Sequence, residues 1–186
     1  MVIGFAMCGS FCTFAQVLPV MEELAEMHQV IPIFSFASSS IDSRFGTHIE
    51  HLKRAEEICA RKPITTIEAA EPIGPKKLLD ALIIAPCTGN TLAKLAHSIA
   101  DTPVTMAAKS HLRNGRPVIV AVSTNDALAG AAENIGKLLA RKNYYFVPFG
   151  QDDAQKKPTS MVADFTKIPQ TLASALAGQQ IQPILI

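Results

Sequence analysis

The chain has 186 residues and a formal net charge of +1, with 48% hydrophobic and 18% charged residues. This length suffices for one domain with a substantial core, and the balanced charge does not indicate nucleic acid or an acidic membrane as a partner. The apolar start, before the first charged residue Glu22, is interrupted by glycines, polar residues and Pro19 and lacks a basic segment. Neither a signal peptide nor a membrane span is therefore expected, which predicts a cytoplasmic protein. The low charge content favours a homo-oligomer that covers apolar surface.

The first half of the chain alternates short apolar runs with segments of helical periodicity. Pro19 lies inside the first helical segment, and the second has an apolar face formed by Ile49, Leu52, Ala55 and Ile58. The predicted elements are a strand over 2–7, a helix over 11–28, a strand over 30–36, a helix over 47–62, an irregular segment with a short helix over 64–77, a strand over 82–85 that stops at Pro86, and a helix over 90–99.

The second half continues the alternation and ends in an apolar tail. Its predicted elements are a helix over 103–112 closed by Asn114-Gly115, a strand over 118–122, a helix over 127–141, a strand over 144–148, a loop over 149–158, a helix over 168–179 and the tail 181–186. Continuous apolar strands that alternate with helices predict an α/β fold, a single doubly wound parallel sheet covered on both faces. We expect residues 1–186 to form one domain, with 149–186 as a C-terminal extension at a subunit interface.

Small polar residues follow the predicted strands at Gly9-Ser10, 35–40, Pro86–Thr91 and 123–125. The carboxyl ends of parallel strands meet at one edge of the sheet, where free N–H groups and positive helix ends bind phosphate. Each segment is also compatible with simple helix capping, which we favour for Asp126. The G-x-G-x-x-G and P-loop patterns are absent, so a mononucleotide fits better than a dinucleotide or a triphosphate.

The cysteines and histidines do not form a recognisable catalytic or metal-binding set. Cys8, Cys12, Cys59 and Cys87 include no C-x-x-C pair, and reduced, mostly buried thiols are expected. The five histidines, among them the pair His48 and His51, lie on predicted helices or their ends and lack further ligands at metal-binding spacing. We predict no metal, and the catalytic residues stay unassigned.

Several motifs resemble those of a known family. APCTGNTLAKLA (85–96) and AAKSHLRNGRPVIVAVSTN (107–125) resemble the FMN-binding flavoproteins, which include cysteine decarboxylases and flavin prenyltransferases. GFAMCGSFCTF, SRFGTHIE, AEPIGPK, VSTNDALAG, YFVPFGQDDAQKKPTSMVA and QQIQPILI resemble one subgroup, the B subunits of two-component dipicolinate synthases of spore formation. The resemblance extends over essentially the whole chain.

The resemblance implies flavodoxin-like three-layer subunits that assemble as a trimer or larger homo-oligomer and hold FMN near the subunit interfaces. It implies a partner A subunit that carries NAD(P), and oxidation of dihydrodipicolinate, a small dicarboxylate, to dipicolinate in the mother cell of a spore-forming bacterium. On this pattern Gly9, Ser10 and Ser35 bind phosphate. The full set of implied cofactor-binding residues is Gly9, Ser10, Ser35, Pro86, Thr88, Asn90, Thr91, Ser123, Thr124 and Asn125.

Two alternative functions stay open. One is a stand-alone FMN-dependent decarboxylase or flavin prenyltransferase. Against it, the P-x-M-N motif and catalytic histidine of cysteine decarboxylases are replaced by Ser123-Thr124-Asn125 with no corresponding histidine, and the Arg-Glu step of prenyltransferases is missing. The other is a non-catalytic scaffold subunit with a degenerate flavin site.

Overall fold

A seven-stranded sheet lies at the centre of the computed structural model, which describes residues 1–186, and helices flank it. The strands are β1 (Val2–Met7), β2 (Gln29–Phe34), β3 (Ala81–Cys87), β4 (Val118–Thr124), β5 (Tyr144–Phe146), β6 (Phe149–Gly150) and β7 (Met161–Ala163). The helices are α1 (Phe14–Met27), α2 (Phe36–Ser40), α3 (His48–Cys59), α4 (Ile67–Ala70), α5 (Gly89–Ala96), α6 (Pro103–Leu112), α7 (Ala132–Leu139) and α8 (Ile168–Leu176). None of them is long and apolar enough to span a bilayer.

Five strands are parallel, in the order β2-β1-β3-β4-β5, which confirms the predicted α/β doubly wound sheet. Two partners share the outer edge of β4. Its first half, Val118–Val120, pairs with β5, while Ser123 and Thr124 pair with β7 in antiparallel orientation. β7 in turn pairs with β6. The sheet therefore gains a short antiparallel ribbon at the carboxyl end of β4.

The core is built from the apolar runs that the sequence marks as strands. All seven residues of β3 and six of the seven in β4 are buried, as expected for strands inside a sheet that is covered on both faces. The largest fully buried side chains include Phe5, Phe14, Phe34 and Phe146. These residues belong to one continuous apolar cluster, so the strand ends are held on a close-packed base.

Several predicted boundaries are wrong for identifiable reasons. β3 does not stop at Pro86 but runs to Cys87, because the Pro86 carbonyl accepts a 3.2 Å hydrogen bond from the Cys8 N–H and the β3–β4 register shifts after Ile84. α7 begins at Ala132 rather than at 127, because the Asp126 carbonyl ties 126–131 into turns. Residues 36–40 form α2 instead of the end of a strand. The predicted loop over 149–158 begins with β6.

The predicted inner face of α3 is also wrong in part. Ile49 is 65% exposed, whereas His51 is 8% exposed and its ring packs edge-on against Phe14 at a centroid distance of 4.7 Å. Thr47 and Glu50 form a capping box that fixes where the helix starts. His51 and Ala55, four positions apart, therefore share the core-facing side of this helix.

Candidate functional site

Two adjoining cavities lie at the carboxyl ends of the parallel strands and share Gly9 and Thr88 in their common wall. The α5 cavity, about 380 Å³, is lined by Gly9, Ser35, Phe36, Ala37, Thr88, Asn90, Thr91, Lys94 and Thr102. The β4 cavity, about 220 Å³, is lined by Gly9, Ser10, Cys12, Thr88, Ser123, Thr124, Asn125, Asp152, Lys157, Ser160 and Val162. Together they reach the roughly 300–1,000 Å³ that is typical of small-molecule sites.

The N-terminus of α5 forms one wall of the α5 cavity. Thr88 is its N-cap, and its Oγ1 accepts from the N–H of Thr91 at 3.5 Å. The N–H groups of Gly89 and Asn90 have no acceptor inside the helix, and they lie at its positive end. Thr91 Oγ1 donates to Cys8 Sγ at 3.2 Å, which joins the helix to the residue that follows β1. Donors and hydroxyl groups are thus held in place before any ligand binds.

The opposite wall comes from the turns after β1 and β2. Ser35 caps α2, and its Oγ accepts from the N–H of Ser38 at 3.2 Å. Gly9 faces this turn, where a Cβ added at Gly9 would lie 3.2 Å from the Cβ of Ala37. A larger side chain at position 9 would therefore narrow the cavity, and the glycine keeps room for a ligand close to the backbone.

The one cation of the α5 cavity is already paired. Lys94 Nζ lies 2.6 and 2.7 Å from the carboxylate oxygens of Asp101, and this hydrogen bond is the main reason that the pKa of Asp101 is lowered. The cavity therefore offers hydroxyls, backbone N–H groups, an amide and the ammonium of Lys94, whose charge is balanced by Asp101. That set of donors suits a phosphate ester with further hydroxyl groups.

The β4 cavity joins the turn after β1 to the end of β4. The Oγ atoms of Ser10 and Ser123 lie 2.8 Å apart, and Ser123 is 3% exposed. Thr124 Oγ1 donates to the carboxylate of Asp126. A Cβ at Gly89 would lie 2.8 Å from Thr124 Oγ1, so the glycine lets α5 start close to β4. The four strand ends consequently form one continuous polar surface.

Residues 151–160 also reach the β4 cavity, which sequence reasoning missed. Lys157 Nζ lies 3.0 Å from Asp152 Oδ2, and the pKa of Asp152 is lowered first by a hydrogen bond with Ser160 and then by Lys157. Thr159 Oγ1 donates to the Asn125 carbonyl at 2.6 Å, which fastens this loop to the end of β4. The mixture of acids, lysines and a proline in the loop was the only signal for it in the sequence.

Nine of the ten predicted cofactor-binding residues line one cavity or both. Pro86 lines neither, since it is buried inside β3. Ser10 faces Ser123 in the β4 cavity, while Ser35 lies in the α5 cavity, so the residues that the resemblance groups around a phosphate are divided.

Cysteine and histidine chemistry is not prominent at this site. All four cysteines are free, but only Cys8 and Cys87 are buried, so the prediction of mostly buried thiols is wrong for the other two. Burial raises the pKa of Cys8 to about 11, so its thiol stays protonated. Cys12 is exposed rather than buried and lines the β4 cavity. No histidine lines either cavity, and no group of three His, Cys, Asp or Glu side chains is placed to hold a metal ion. The arrangement can bind and orient an anionic, hydroxyl-bearing ligand.

Comparison with known proteins gives consistent matches over nearly the whole chain. The model of the family described as Flavoprotein matches residues 1–168. The dipicolinate synthase B subunit of Bacillus subtilis (strain 168) is 48% identical over 185 residues, which cover 99% of this chain and 92% of that protein. The crystal structure of the dipicolinate synthase B subunit from Bacillus halodurans C is 46% identical, with a TM-score of 0.91 over 100% of this chain and 95% of that one.

A more distant structure shares the fold. The FMN-dependent cysteine decarboxylase SpaF is 22% identical, with a TM-score of 0.69 over 94% of this chain and 97% of that one. At this identity the likeness extends to the architecture alone.

Proposed function

Because the chain belongs to the Flavoprotein family, we propose that it binds FMN and acts as the B subunit of a dipicolinate synthase. The observation that carries this proposal is the 48% identity over 99% of the chain to a B subunit of that enzyme, which far exceeds the likeness to the decarboxylases. An NAD(P)-binding A subunit is the proposed partner. Together the two subunits convert dihydrodipicolinate to dipicolinate in the mother cell during spore formation.

The residues present fit an FMN molecule. The opening at Gly9, the capped N-terminus of α5 and the hydroxyls around it supply the donors that a ribityl phosphate needs. In this proposal Ser35, Thr88, Asn90 and Thr91 hold the phosphate end. Ser10, Ser123, Thr124 and Asn125 lie toward the ring and the substrate. A bound flavin supplies a two-electron acceptor, and the protein supplies its orientation and electrostatic surroundings.

The chain's own role in the reaction is positioning. Oxidation of dihydrodipicolinate removes two electrons and two protons, and NAD(P)⁺ on the A subunit is the proposed final electron acceptor. The acids near the cavities, Asp101 and Asp152, have lowered pKa values through hydrogen bonds, first from Lys94 and Ser160 respectively, and stay ionised. We therefore assign this chain the binding and orientation of cofactor and dicarboxylate, with Lys157 near the substrate's carboxylates.

We also propose that the chain forms a homo-oligomer, a trimer or larger, with residues 149–186 at a subunit interface. The tail runs beside β6, where the Phe149 N–H donates to the Ile184 carbonyl at 3.0 Å. Three large apolar side chains of residues 149–186 stay exposed: Leu176 at the end of α8, at 42%, and Leu185 and Ile186 in the tail, at 62% each. Apolar surface of this kind is typically covered by another copy. Replacing Leu185 with Asp should lower the molar mass measured by light scattering, and an unchanged mass would contradict this arrangement.

The functional proposal is tested by reconstitution. The purified chain, the A subunit and both together are incubated with dihydrodipicolinate and NAD(P)⁺, and dipicolinate formation is followed. Full activity should require both subunits. Full activity of the A subunit alone would refute the proposal, as would decarboxylation or prenyl transfer by this chain without a partner.

The visible spectrum of the purified protein tests the cofactor separately. Flavin bands that remain after gel filtration are expected, at about one FMN per chain. A colourless protein that does not take up added FMN but still activates the A subunit would overturn the flavin part and identify a scaffold subunit.

A further inference from the structure

A third cavity lies at the opposite edge of the sheet, where the parallel strands begin. Its volume is about 510 Å³, and it is bounded by the end of α5, the end of α6 and the start of β5. Four cationic side chains line it, Lys109, Arg113, Arg141 and Lys142, and no acidic side chain does. Because the whole chain has 17 cationic and 16 acidic residues, this segregation of charge is a local property of the cavity. We call it the basic cavity.

Helix termini account for only one of these cations. Arg141 donates to the Leu95 carbonyl at 3.0 Å and to the Ala96 carbonyl at 2.6 Å, so it satisfies the C-terminal end of α5. Lys109, Arg113 and Lys142 make no side-chain hydrogen bond, and no carboxylate lies within 4.0 Å of any of them. All four exposed cations thus lie around one cavity without a carboxylate partner, and an anion bound among them would relieve their mutual repulsion.

The rest of the lining is apolar enough for more than a simple ion. Leu95 and Tyr144 are buried, and Ile99 is 47% exposed. Burial raises the pKa of Tyr144 to about 12, so its phenol stays neutral and adds no negative charge. The cavity therefore combines an apolar floor with a cationic rim, and its volume falls in the range of roughly 300–1,000 Å³ found for small-molecule sites.

We propose that the basic cavity binds a small organic dianion with a flat apolar body, at a site separate from the one at the carboxyl ends of the strands. The anionic groups lie against Lys109, Arg113 and Lys142, and the apolar body lies on Leu95, Ile99 and Tyr144. A nucleoside monophosphate and an aromatic dicarboxylate share this chemistry. Inorganic phosphate carries the charge without the apolar body and binds more weakly.

Titration calorimetry on the full chain carrying one equivalent of FMN tests this proposal, since any flavin site is then filled or absent and no free FMN, itself a flat organic dianion, competes for the basic cavity. The double variants described below distinguish the basic cavity from a dicarboxylate site at the carboxyl edge. The probes are adenosine monophosphate, pyridine-2,6-dicarboxylate and inorganic phosphate. Binding of one of the two organic dianions at one per chain, about 10-fold or more tighter than inorganic phosphate, is the expected result. Absence of binding by both organic probes at millimolar concentration would overturn the proposal. It would do so even if the basic cavity turned out to be a contact surface for the A subunit.

Two double variants remove the same charge at different places. K109A/R113A should weaken binding of the organic dianion by about 10-fold or more, because it removes two unpaired cations from the rim. R61A/K62A removes one Arg and one Lys from an exposed segment beyond α3 and should change the affinity by less than about 2-fold. Equal weakening in the two variants would show diffuse attraction rather than a site. Circular dichroism and thermal unfolding check that both variants fold.

Discussion

The cationic side chains at the two edges of the sheet differ in whether they have acidic partners. At the carboxyl edge, each cation near the cavities has an acidic partner: Lys94 pairs with Asp101, and Lys157 pairs with Asp152. At the amino edge, none of the four cations of the basic cavity has one, and Arg141 bonds only to backbone carbonyls. Recognition at the carboxyl edge depends on short-range hydrogen bonds from hydroxyls and N–H groups, whereas at the amino edge it depends on longer-range attraction.

The difference in charge pairing follows from which helix ends lie at each edge of the sheet. The carboxyl edge collects helix N-termini, which attract anions without any formal charge, so its cations can be neutralised by local acids. The amino edge collects helix C-termini, which repel anions, and only side-chain cations can reverse that field. Four predictions separate the two edges, and they are ordered from the largest expected effect to the smallest.

The stability of the amino edge should depend on His111. This buried side chain donates from Nε2 to the Pro117 carbonyl at 3.0 Å, and burial, with a smaller contribution from Arg116, lowers its pKa from 6.5 to about 4. Below pH 6.5 His111 binds a proton in the unfolded chain but not in the folded chain, so the free energy of unfolding falls as the pH drops toward 4. The loss approaches about 3 kcal/mol in the free energy of unfolding.

Urea denaturation of the wild type and of His111→Gln between these pH values measures this effect. The variant should lose most of the slope, while His97→Gln, at an exposed site, should keep it. The same slope in both variants would show that another group is responsible. The ion pairs of the carboxyl edge should persist over this range, because the pKa values of Asp101 and Asp152 lie below 3.8.

Removing polar groups at the start of α5 should affect only the carboxyl edge. N90A/T91A deletes an amide and a hydroxyl of the α5 cavity and should raise the dissociation constant of FMN about 30-fold, about 2 kcal/mol for two hydrogen bonds. Fluorescence titration of FMN provides the measurement, and K109A/R113A is the control that should leave FMN binding unchanged. An unchanged FMN affinity in N90A/T91A would remove the assignment of this site.

Raising the salt concentration should change ligand affinity differently at the two edges, without any mutation. Raising sodium chloride from about 50 mM to about 500 mM should weaken dianion binding at the basic cavity by about 5-fold, because unpaired exposed charges are screened. FMN affinity should change by less than about 2-fold, since the hydrogen bonds of the α5 cavity are short-ranged. Equal salt dependence of the two affinities in calorimetry would contradict the proposed difference in binding between the two edges.

The smallest predicted effect is the change in folding stability when a single cation is removed at each edge. Lys157→Met removes an exposed ion pair and should lower the free energy of unfolding only slightly. Lys109→Met relieves repulsion among neighbouring cations and should leave stability unchanged or raise it by a few tenths of a kcal/mol. Urea denaturation at low salt provides both values. A loss in Lys109→Met as large as that in Lys157→Met would contradict the charge pattern described above.

Much of the fold and of the site at the carboxyl edge could be predicted because the signals are local. Continuous apolar runs marked all five parallel strands to within about two residues at either end, and Pro103 and Gly115 bounded α6. The predicted strand over 82–85 fell short at Cys87, because the bond from Cys8 to the Pro86 carbonyl comes from a distant strand. Nothing local distinguishes a proline that ends a strand from one that continues it.

The sequence by itself determined the alternation of strands and helices and the small polar residues that follow each strand. Those patterns depend on burial and on turn chemistry, which neighbours in the chain decide. Only the tertiary structure decided that His51 rather than Ile49 packs inward, that the 151–160 loop reaches the β4 cavity, and that cations from α6 and from the α7–β5 connection meet at one cavity. Such juxtapositions depend on contacts between segments far apart in sequence, and periodicity carries no record of them.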